Sequence, residues 1–131
     1  MNSKFCIANW KTYLNNEQSC DFIKSFIKND FKNNCKIIIC PSYVSLRQTS
    51  LLIGNNSFIR LGSQDVSMYP SGAYTGDIGI DMLLENKCSY AIIGHSERRL
   101  YYNEKNHTIC KKLNILDNSS IVPIICIGET F

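Results

Sequence analysis

Five short apolar runs recur along the chain, separated by segments with helical spacing, and this alternation limits the possible folds more than any other feature. The runs are rich in Ile, Val or Phe, and four of them lack the regular polar alternation of a half-exposed strand. Such runs are typical of parallel strands covered on both faces. They lie at residues 5–8, 36–40, 58–62, 89–94 and 121–128.

Helical patterns fill the intervals between these runs. Asn15 or Asn16 is available as the N-cap of the first helix, Ser42 can cap the second, and Gly54 is a suitable residue to end it. The four patterns cover residues 16–29, 43–52, 80–86 and 106–116. Strand and helix therefore alternate every 25 to 35 residues or so, which is the spacing of βαβ units.

The alternation predicts an α/β fold built on a parallel sheet. An eight-stranded βα barrel needs about 250 residues, so the 131 residues of this chain would form one domain, residues 1–131, holding the first five strands of such a barrel. An open, doubly wound sheet is the alternative that periodicity leaves open. The first strand is not followed by the Gly-x-Gly-x-x-Gly turn of dinucleotide-binding proteins, which removes support for that function.

Charge and hydropathy exclude several classes of partner. The net charge of +3 is small and the basic residues are scattered, so the sequence predicts no nucleic-acid binding. No stretch approaches the roughly 20 apolar residues of a membrane helix, and the N-terminus lacks the apolar region of a signal peptide. We therefore expect a cytoplasmic protein with no membrane partner.

The seven cysteines do not form a recognisable disulfide or metal pattern. Their number is odd and no Cys-x-x-Cys is present, which favours reduced and mostly buried thiols. A metal site made of Cys35, Cys40 and the two histidines would match no zinc spacing, so no metal is predicted.

Polar residues follow the apolar runs at the point where each predicted strand ends. In a parallel barrel these ends converge on one mouth, which is where active sites form. The residues in question are Asn9, Lys11, Gln64, Asp65, His95, Ser96, Glu97 and Glu129.

The run from Gly94 to Arg99 carries the most specific chemistry. It follows a buried strand and begins a helical turn, so His95 would lie at a helix N-terminus, where the positive end of the helix dipole disfavours a protonated ring. A neutral His95 could donate a hydrogen bond to a carbonyl oxygen that becomes an enediolate. Taken alone, Lys11 could equally be a solvated loop residue, and Glu97 with Arg98 a surface ion pair.

Four separated motifs, in the correct order, resemble those of the triosephosphate isomerase family. The resemblance extends over the whole chain, and the fourth-strand motif is the most specific of the four. The motifs are Asn9-Trp10-Lys11, Gly72-Ala73-Tyr74-Thr75-Gly76-Asp77, the run from Gly94 to Arg99, and Cys126-Ile127-Gly128-Glu129.

This resemblance implies an aldose-ketose isomerase that interconverts dihydroxyacetone phosphate and glyceraldehyde 3-phosphate through an enediolate, without a cofactor. That activity belongs to glycolysis and gluconeogenesis and borders the pentose phosphate pathway. By the same resemblance Asn9 contacts substrate, Lys11 places positive charge at the phosphate and the developing oxyanion, and His95 acts at the two substrate oxygens. A neutral histidine in this enzyme is a known example of pKa tuning. Ser96 and Glu97 are implied as supporting residues, with Glu97 near Lys11.

The resemblance also implies a homodimer in which the loop of residues 72–77 enters the neighbouring subunit. Thr75 would reach toward the catalytic lysine of that subunit, with Tyr74 and Gln64 also at the interface. Asp65 replaces the commoner asparagine of the family, and we expect its carboxylate to lie close to Lys11 and Thr75 and to affect the strength of the interface.

Two interpretations follow from what the sequence contains. The family's catalytic base is a glutamate after the sixth strand, and its phosphate-binding loops follow strands seven and eight. Glu129, at the end of the fifth strand, is no substitute for that base. The chain alone is therefore expected to be inactive, and either it is part of a full-length isomerase or it is a non-catalytic remnant that acts at most as a binding or scaffold module.

Overall fold

The computed structural model describes residues 4–29, 35–56 and 58–128 of the chain, and strands and helices alternate through these ranges. The strands are β1 Lys4–Asn9, β2 Cys35–Cys40, β3 Ile59–Ser63, β4 Tyr90–Ile93 and β5 Val122–Ile125. The helices are α1 Asn16–Phe26, α2 Tyr43–Ile53, α3 Ile80–Glu85, α4 Ser96–Tyr101 and α5 Asn106–Asp117. The predicted α/β class is confirmed.

The five strands form one parallel sheet in chain order, curled into an open half-barrel. Asn9 pairs with Cys40 at the end of β1, and Ile93 pairs with Ile125 at the end of β4. A doubly wound sheet would reverse its strand order at a switch point, and the observed order contains no reversal. The expectation of a partial βα barrel is therefore confirmed, and the carboxyl ends of all five strands lie along one edge.

The boundaries of the elements follow local chemistry and differ slightly from those expected. Asn15 caps α1 through a reciprocal box, since its side chain accepts from the Gln18 N–H at 2.9 Å and the Gln18 side chain accepts from the Asn15 N–H at 3.1 Å. Helix α1 ends at Phe26, three residues before the predicted end. Strand β5 ends at Ile125 instead of residue 128, although the Cys126 N–H still donates to the Ile93 carbonyl at 3.0 Å.

The two faces of the sheet bury different amounts of apolar surface. The face toward the helices holds the larger cluster, which includes Ile23 of α1, Leu83 of α3 and Leu116 of α5. The concave face holds a smaller cluster of Ile38, Cys40 and Ile92. This asymmetry is expected of half a barrel, whose inner face has nothing opposite it.

Gly62 lies on the concave face, where the sheet leaves no room for a side chain. A Cβ atom at this position would lie 2.6 Å from the Cys40 Sγ and 3.0 Å from the Ile38 Cγ2. Any larger residue would overpack this small inner cluster, which accounts for the glycine.

The seven thiols are all free, but the expectation that they are mostly buried is wrong. Cys40 and Cys88 are buried, whereas Cys6 on the edge strand β1 and Cys110 on α5 are exposed. Burial raises the pKa of both Cys40 and Cys88 to about 12, so these two stay protonated at neutral pH. Among the described residues no group of side chains forms a candidate metal site, and no helix is long and apolar enough to cross a membrane.

Residues 1–131 expressed alone should self-associate, because the described β1 and β5 are unpaired edges with apolar side chains in solvent. Phe5 and Val122 are both 52% exposed. The double variant Phe5→Lys, Val122→Lys should lower the mass measured by light scattering toward that of a monomer. The control Val44→Lys, on α2 and 80% exposed, should change little. A monomeric parent chain would contradict this prediction.

Candidate functional site

The carboxyl edge of the sheet brings together residues that lie far apart in the sequence. Lys11, just after β1, places its Nζ 2.7 Å from the Glu97 Oε1 on α4, although 86 positions separate the two. The Nδ1 of His95 lies 3.4 Å from the other oxygen of the same carboxylate. Glu97 thus bridges the lysine and the histidine, and the three side chains form one polar cluster that is open to solvent.

The backbone of Lys11 adopts a conformation that residues other than glycine rarely take. Its φ is +52°, in the left-handed region, at a cost of roughly 1–3 kcal/mol. The Lys11 N–H donates to the Asn9 Oδ1 at 3.0 Å, and the Gln64 Nε2 donates to the Lys11 carbonyl at 2.8 Å. Gln64 also donates to the Cys40 carbonyl at 3.1 Å. These bonds hold the strained residue, and so fix where the Lys11 side chain begins.

His95 is the N-cap residue of α4, and this position places its Nδ1 against the backbone of the first helical turn. The Glu97 N–H donates to the His95 Nδ1 at 3.3 Å, so Nδ1 acts as an acceptor. A neutral imidazole has one N–H, which must then be at Nε2. The Nε2–H is the group that can donate to a substrate oxygen, as the sequence analysis proposed for a neutral His95.

The Lys11–Glu97 pair shifts the titration of both partners in the directions expected of opposite charges. The hydrogen bond and the charge of Glu97 raise the pKa of Lys11. The hydrogen bond from Lys11 holds the pKa of Glu97 below its usual range. Both groups are therefore ionised at neutral pH, and Glu97 is too weak a base to take a proton from carbon.

The remaining predicted site residues occupy different positions. Ser96 is exposed at the start of α4, and its hydroxyl makes no hydrogen bond within the part of the chain that the structure describes. Thr75 and Tyr74 lie on the exposed turn of residues 72–77. Glu129 lies outside the described residues.

The turn of residues 72–77 is held at its base and leaves its tip in solvent. The Tyr74 ring stacks on Tyr69 with centroids 4.2 Å apart, and the Ser67 hydroxyl donates to the Asp77 Oδ2 at 2.6 Å. Thr75 at the tip is exposed. A loop of fixed shape with an open tip is suited to contact another molecule, and the roles of Thr75, Tyr74 and Gln64 in a dimer stay predictions.

Asp65 does not lie where the sequence analysis expected it. Its carboxylate does not contact Lys11 or Thr75; its Oδ1 and Oδ2 accept from the Lys112 Nζ at 2.6 and 2.8 Å. Its Oδ2 also lies 2.8 Å from the Arg98 Nε. Burial raises the pKa of Asp65, and the charges of Lys112 and Arg98 offset part of that effect.

Glu104 completes this buried group of charges, and Lys112 is the member that sequence reasoning missed. Glu104 is 6% exposed, and its oxygens contact Lys112 and the Arg98 Nε, the latter at 3.2 Å. Lys112 shares the buried face of α5 with Ile109, three residues before it, and Leu116, four residues after it. A lysine on the apolar face of a helix was the available signal, because such a residue needs a carboxylate partner.

Comparisons with known proteins match this chain to one family. A model of the triosephosphate isomerase family matches residues 4–131. A triosephosphate isomerase from Dictyoglomus thermophilum is 42% identical over 130 residues, which cover 98% of this chain and 52% of that protein. One from Buchnera aphidicola is 39% identical over 134 residues, covering 99% of this chain and 53% of that protein. The chain spans about half the length of these relatives.

The ion pair between Lys11 and Glu97 predicts how the Glu97 carboxyl titrates. In the natural gene product that contains this chain, the Glu97 carboxyl should titrate below pH 4.5, its ordinary midpoint, because Lys11 favours the ionised form. The pair stabilises the fold above that ordinary midpoint, and this contribution is lost as the pH falls through the lowered pKa. Lys11→Met should raise the midpoint, as read from the carboxyl signal in 13C NMR.

Lys24→Met is the matched control. Lys24 is an exposed lysine on α1, and the carboxylate beside it, at 3.9 Å, is that of Asp21 on the same helix and not that of Glu97. This variant should leave the Glu97 midpoint unchanged. A Glu97 midpoint that Lys11→Met does not move would show that the two groups are not paired in solution.

Proposed function

Since the chain belongs to the triosephosphate isomerase family, we propose that the protein containing it interconverts dihydroxyacetone phosphate and glyceraldehyde 3-phosphate. The reaction moves a proton between two adjacent carbons through an enediolate. It needs a positive charge near the phosphate and the oxyanion, a hydrogen-bond donor at the substrate oxygens, and a base. A cytoplasmic place in glycolysis and gluconeogenesis goes with this activity.

The observation that carries the proposal is the cluster of Lys11, Glu97 and His95 at the carboxyl edge of the sheet. Lys11 supplies a fixed ammonium group, and the His95 Nε2 faces no internal acceptor in the described residues, so a neutral ring with its proton there would be free to donate. Glu97 holds both. A substrate bound at this edge would meet a positive charge and a neutral donor together, as an enediolate requires.

Each residue has a distinct part in the proposed mechanism. The Lys11 ammonium attracts the phosphate and stabilises the negative oxygen that develops as the carbon loses its proton. The His95 Nε2–H donates to the same carbonyl oxygen, more strongly as its charge grows. Asn9, whose Oδ1 holds the Lys11 backbone, has its amide Nδ2 left for substrate.

The described residues supply no base for this reaction. Glu97 is the carboxylate within the cluster, but its ion pair with Lys11 makes it a poor proton acceptor. We therefore assign the base and the phosphate-binding loops to sequence corresponding to the second half of the longer relatives. The homodimer is part of the same proposal, with the exposed turn of residues 72–77 as its contact.

His95→Gln in the natural gene product should lower kcat by about 10²- to 10³-fold, because it removes a donor whose hydrogen bond strengthens in the transition state. KM should change much less. The assay is the conversion of glyceraldehyde 3-phosphate coupled to an NADH-dependent reductase. His107→Gln is the control, because His107 is exposed on α5. An unchanged kcat in His95→Gln would remove the proposed role of His95.

Residues 1–131 alone should show no isomerase activity above buffer, since the residues that the structure describes include no base suited to take a proton from the substrate carbon. Adding a separately produced C-terminal half of the Dictyoglomus thermophilum relative should restore some activity, because the two unpaired strand edges can then be closed. Lys11→Met in the first fragment should abolish the restored activity. Turnover by residues 1–131 alone, lost in both Lys11→Met and His95→Gln, would contradict the assignment of the base elsewhere.

A further inference from the structure

Helix α4 carries His95 at its N-cap and Glu97 in its first turn, yet it has no buried side chain of its own. A short helix usually takes its position from an apolar face packed on the core. In α4 that contribution is missing, so polar contacts must fix where the helix lies. This makes the partners of its two arginines, Arg98 and Arg99, the determinants of the geometry around His95.

The two arginines hold α4 on different sides. Arg99 donates to the Gly94 carbonyl at 2.8 Å and to the Asn106 Oδ1 at 2.8 Å, and its Nη2 donates to the Cys126 carbonyl after strand β5 at 3.4 Å. Arg98 contacts the segment after strand β3 instead, since its Nε lies 2.8 Å from the Asp65 Oδ2. Arg98 is the residue next to Glu97, so the Asp65 contact acts directly on the turn that carries the functional cluster.

Asp65 is itself firmly placed. It is 7% exposed, its carboxylate is bonded to Lys112 through both oxygens, and its own carbonyl accepts from the Tyr43 hydroxyl at 2.6 Å. Its neighbour Gln64 holds the Lys11 carbonyl. One dipeptide after β3 therefore contacts Lys11 through Gln64 and, through Asp65, the Arg98 side chain that follows Glu97 on α4.

We propose that Asp65 is a positioning residue, which acts through Arg98 to hold α4 so that Glu97 stays on Lys11 and the His95 Nδ1 stays on the Glu97 N–H. Asp65 does not touch the substrate. The effect on catalysis rests on the function proposed above, whereas the effect on the His95 ring does not. The buried charges of Asp65, Glu104, Arg98 and Lys112 sum to zero, so removal of the Asp65 carboxylate leaves an unbalanced positive charge beside α4.

The two oxygens of Asp65 are not equivalent, which provides a conservative variant. The Oδ2 accepts from the Lys112 Nζ and also lies 2.8 Å from the Arg98 Nε in an ion pair, whereas the Oδ1 contacts Lys112 alone. An asparagine with its oxygen at the Oδ2 position keeps both contacts and loses one bond. Asp65→Asn should therefore retain most of the positioning that Asp65→Ala loses.

The first test reads the His95 ring directly. This chain contains two histidines, and in the 15N-histidine-labelled natural gene product the variants His95→Gln and His107→Gln assign the signals of each, so that the exposed His107 serves as an internal reference. The 15N shifts report which ring nitrogen carries the proton. The parent should show the Nε2–H form at His95. Asp65→Ala should shift His95 toward a mixture of both forms and leave His107 unchanged.

Arg98→Lys tests whether Asp65 acts through Arg98 if the Asp65→Ala variant does not fold. It keeps the cluster neutral but removes the Nε that contacts Asp65, so it should shift the His95 signals in the same direction. Asp117→Asn, which changes an exposed carboxylate on α5, should leave them as in the parent. Parent-like His95 signals in both Asp65→Ala and Arg98→Lys would overturn the proposal, as would an equal shift at His107.

The second test measures turnover. Asp65→Ala should lower kcat by about 10- to 100-fold with little change in KM, and Asp65→Asn should recover most of the loss. A parent protein with no isomerase activity would refute the proposed function, and the His95 signals would still decide the role of Asp65. A kcat for Asp65→Ala equal to that of the parent would overturn its effect on catalysis.

Discussion

Parallel pairing of the five strands in chain order is the constraint on which the rest of the structure depends. It sends every strand's carboxyl end to one edge, so residues after β1, β3 and β4 become neighbours regardless of their separation in the chain. It also forces the connecting helices onto one face of the sheet. The larger apolar cluster forms there, and the concave face keeps only a small cluster. The same constraint thus produces both the site and the exposed edges.

The ion pair between Lys11 and Glu97 shows how this edge is used. Lys11 takes a strained backbone conformation, and three different parts of the chain oppose that strain: Asn9 through its side-chain oxygen, Gln64 through its amide, and Glu97 through its carboxylate. A strained residue persists only where its surroundings fix it. The result is an ammonium group whose position is fixed at both the backbone and the tip.

The charges of this half-barrel fall into two groups that share helix α4. The solvent-exposed group consists of Lys11, Glu97 and His95, and it lies at the N-terminal end of α4. The buried group of Asp65, Glu104, Arg98 and Lys112 begins one residue later, at Arg98. Buried ion pairs contribute little net stability, because desolvation offsets their attraction, but their directional bonds specify geometry. Because α4 has no buried side chain, these directional bonds are what position His95 and Glu97.

The sequence by itself determined the elements and their order. Apolar runs and helical spacing predicted the five strands and four of the five described helices to within a few residues, because those patterns depend on residues that are near in sequence, whereas α4 was expected only as a helical turn after Gly94. Asn15 and Gly54 were recognised as helix ends for the same local reason. Once the strands were taken as parallel, the convergence of Asn9, Lys11 and His95 on one edge followed as well.

The tertiary structure alone decided which polar groups meet. Asp65 turned away from Lys11 toward Lys112, 47 positions later in the chain, and Gln64 proved to hold the Lys11 carbonyl within its own chain. Neither contact produces a periodic pattern in the sequence, because each depends on how whole elements of the fold lie against one another. A side chain's partner over such a distance is set by the relative placement of whole elements, which only the folded structure determines.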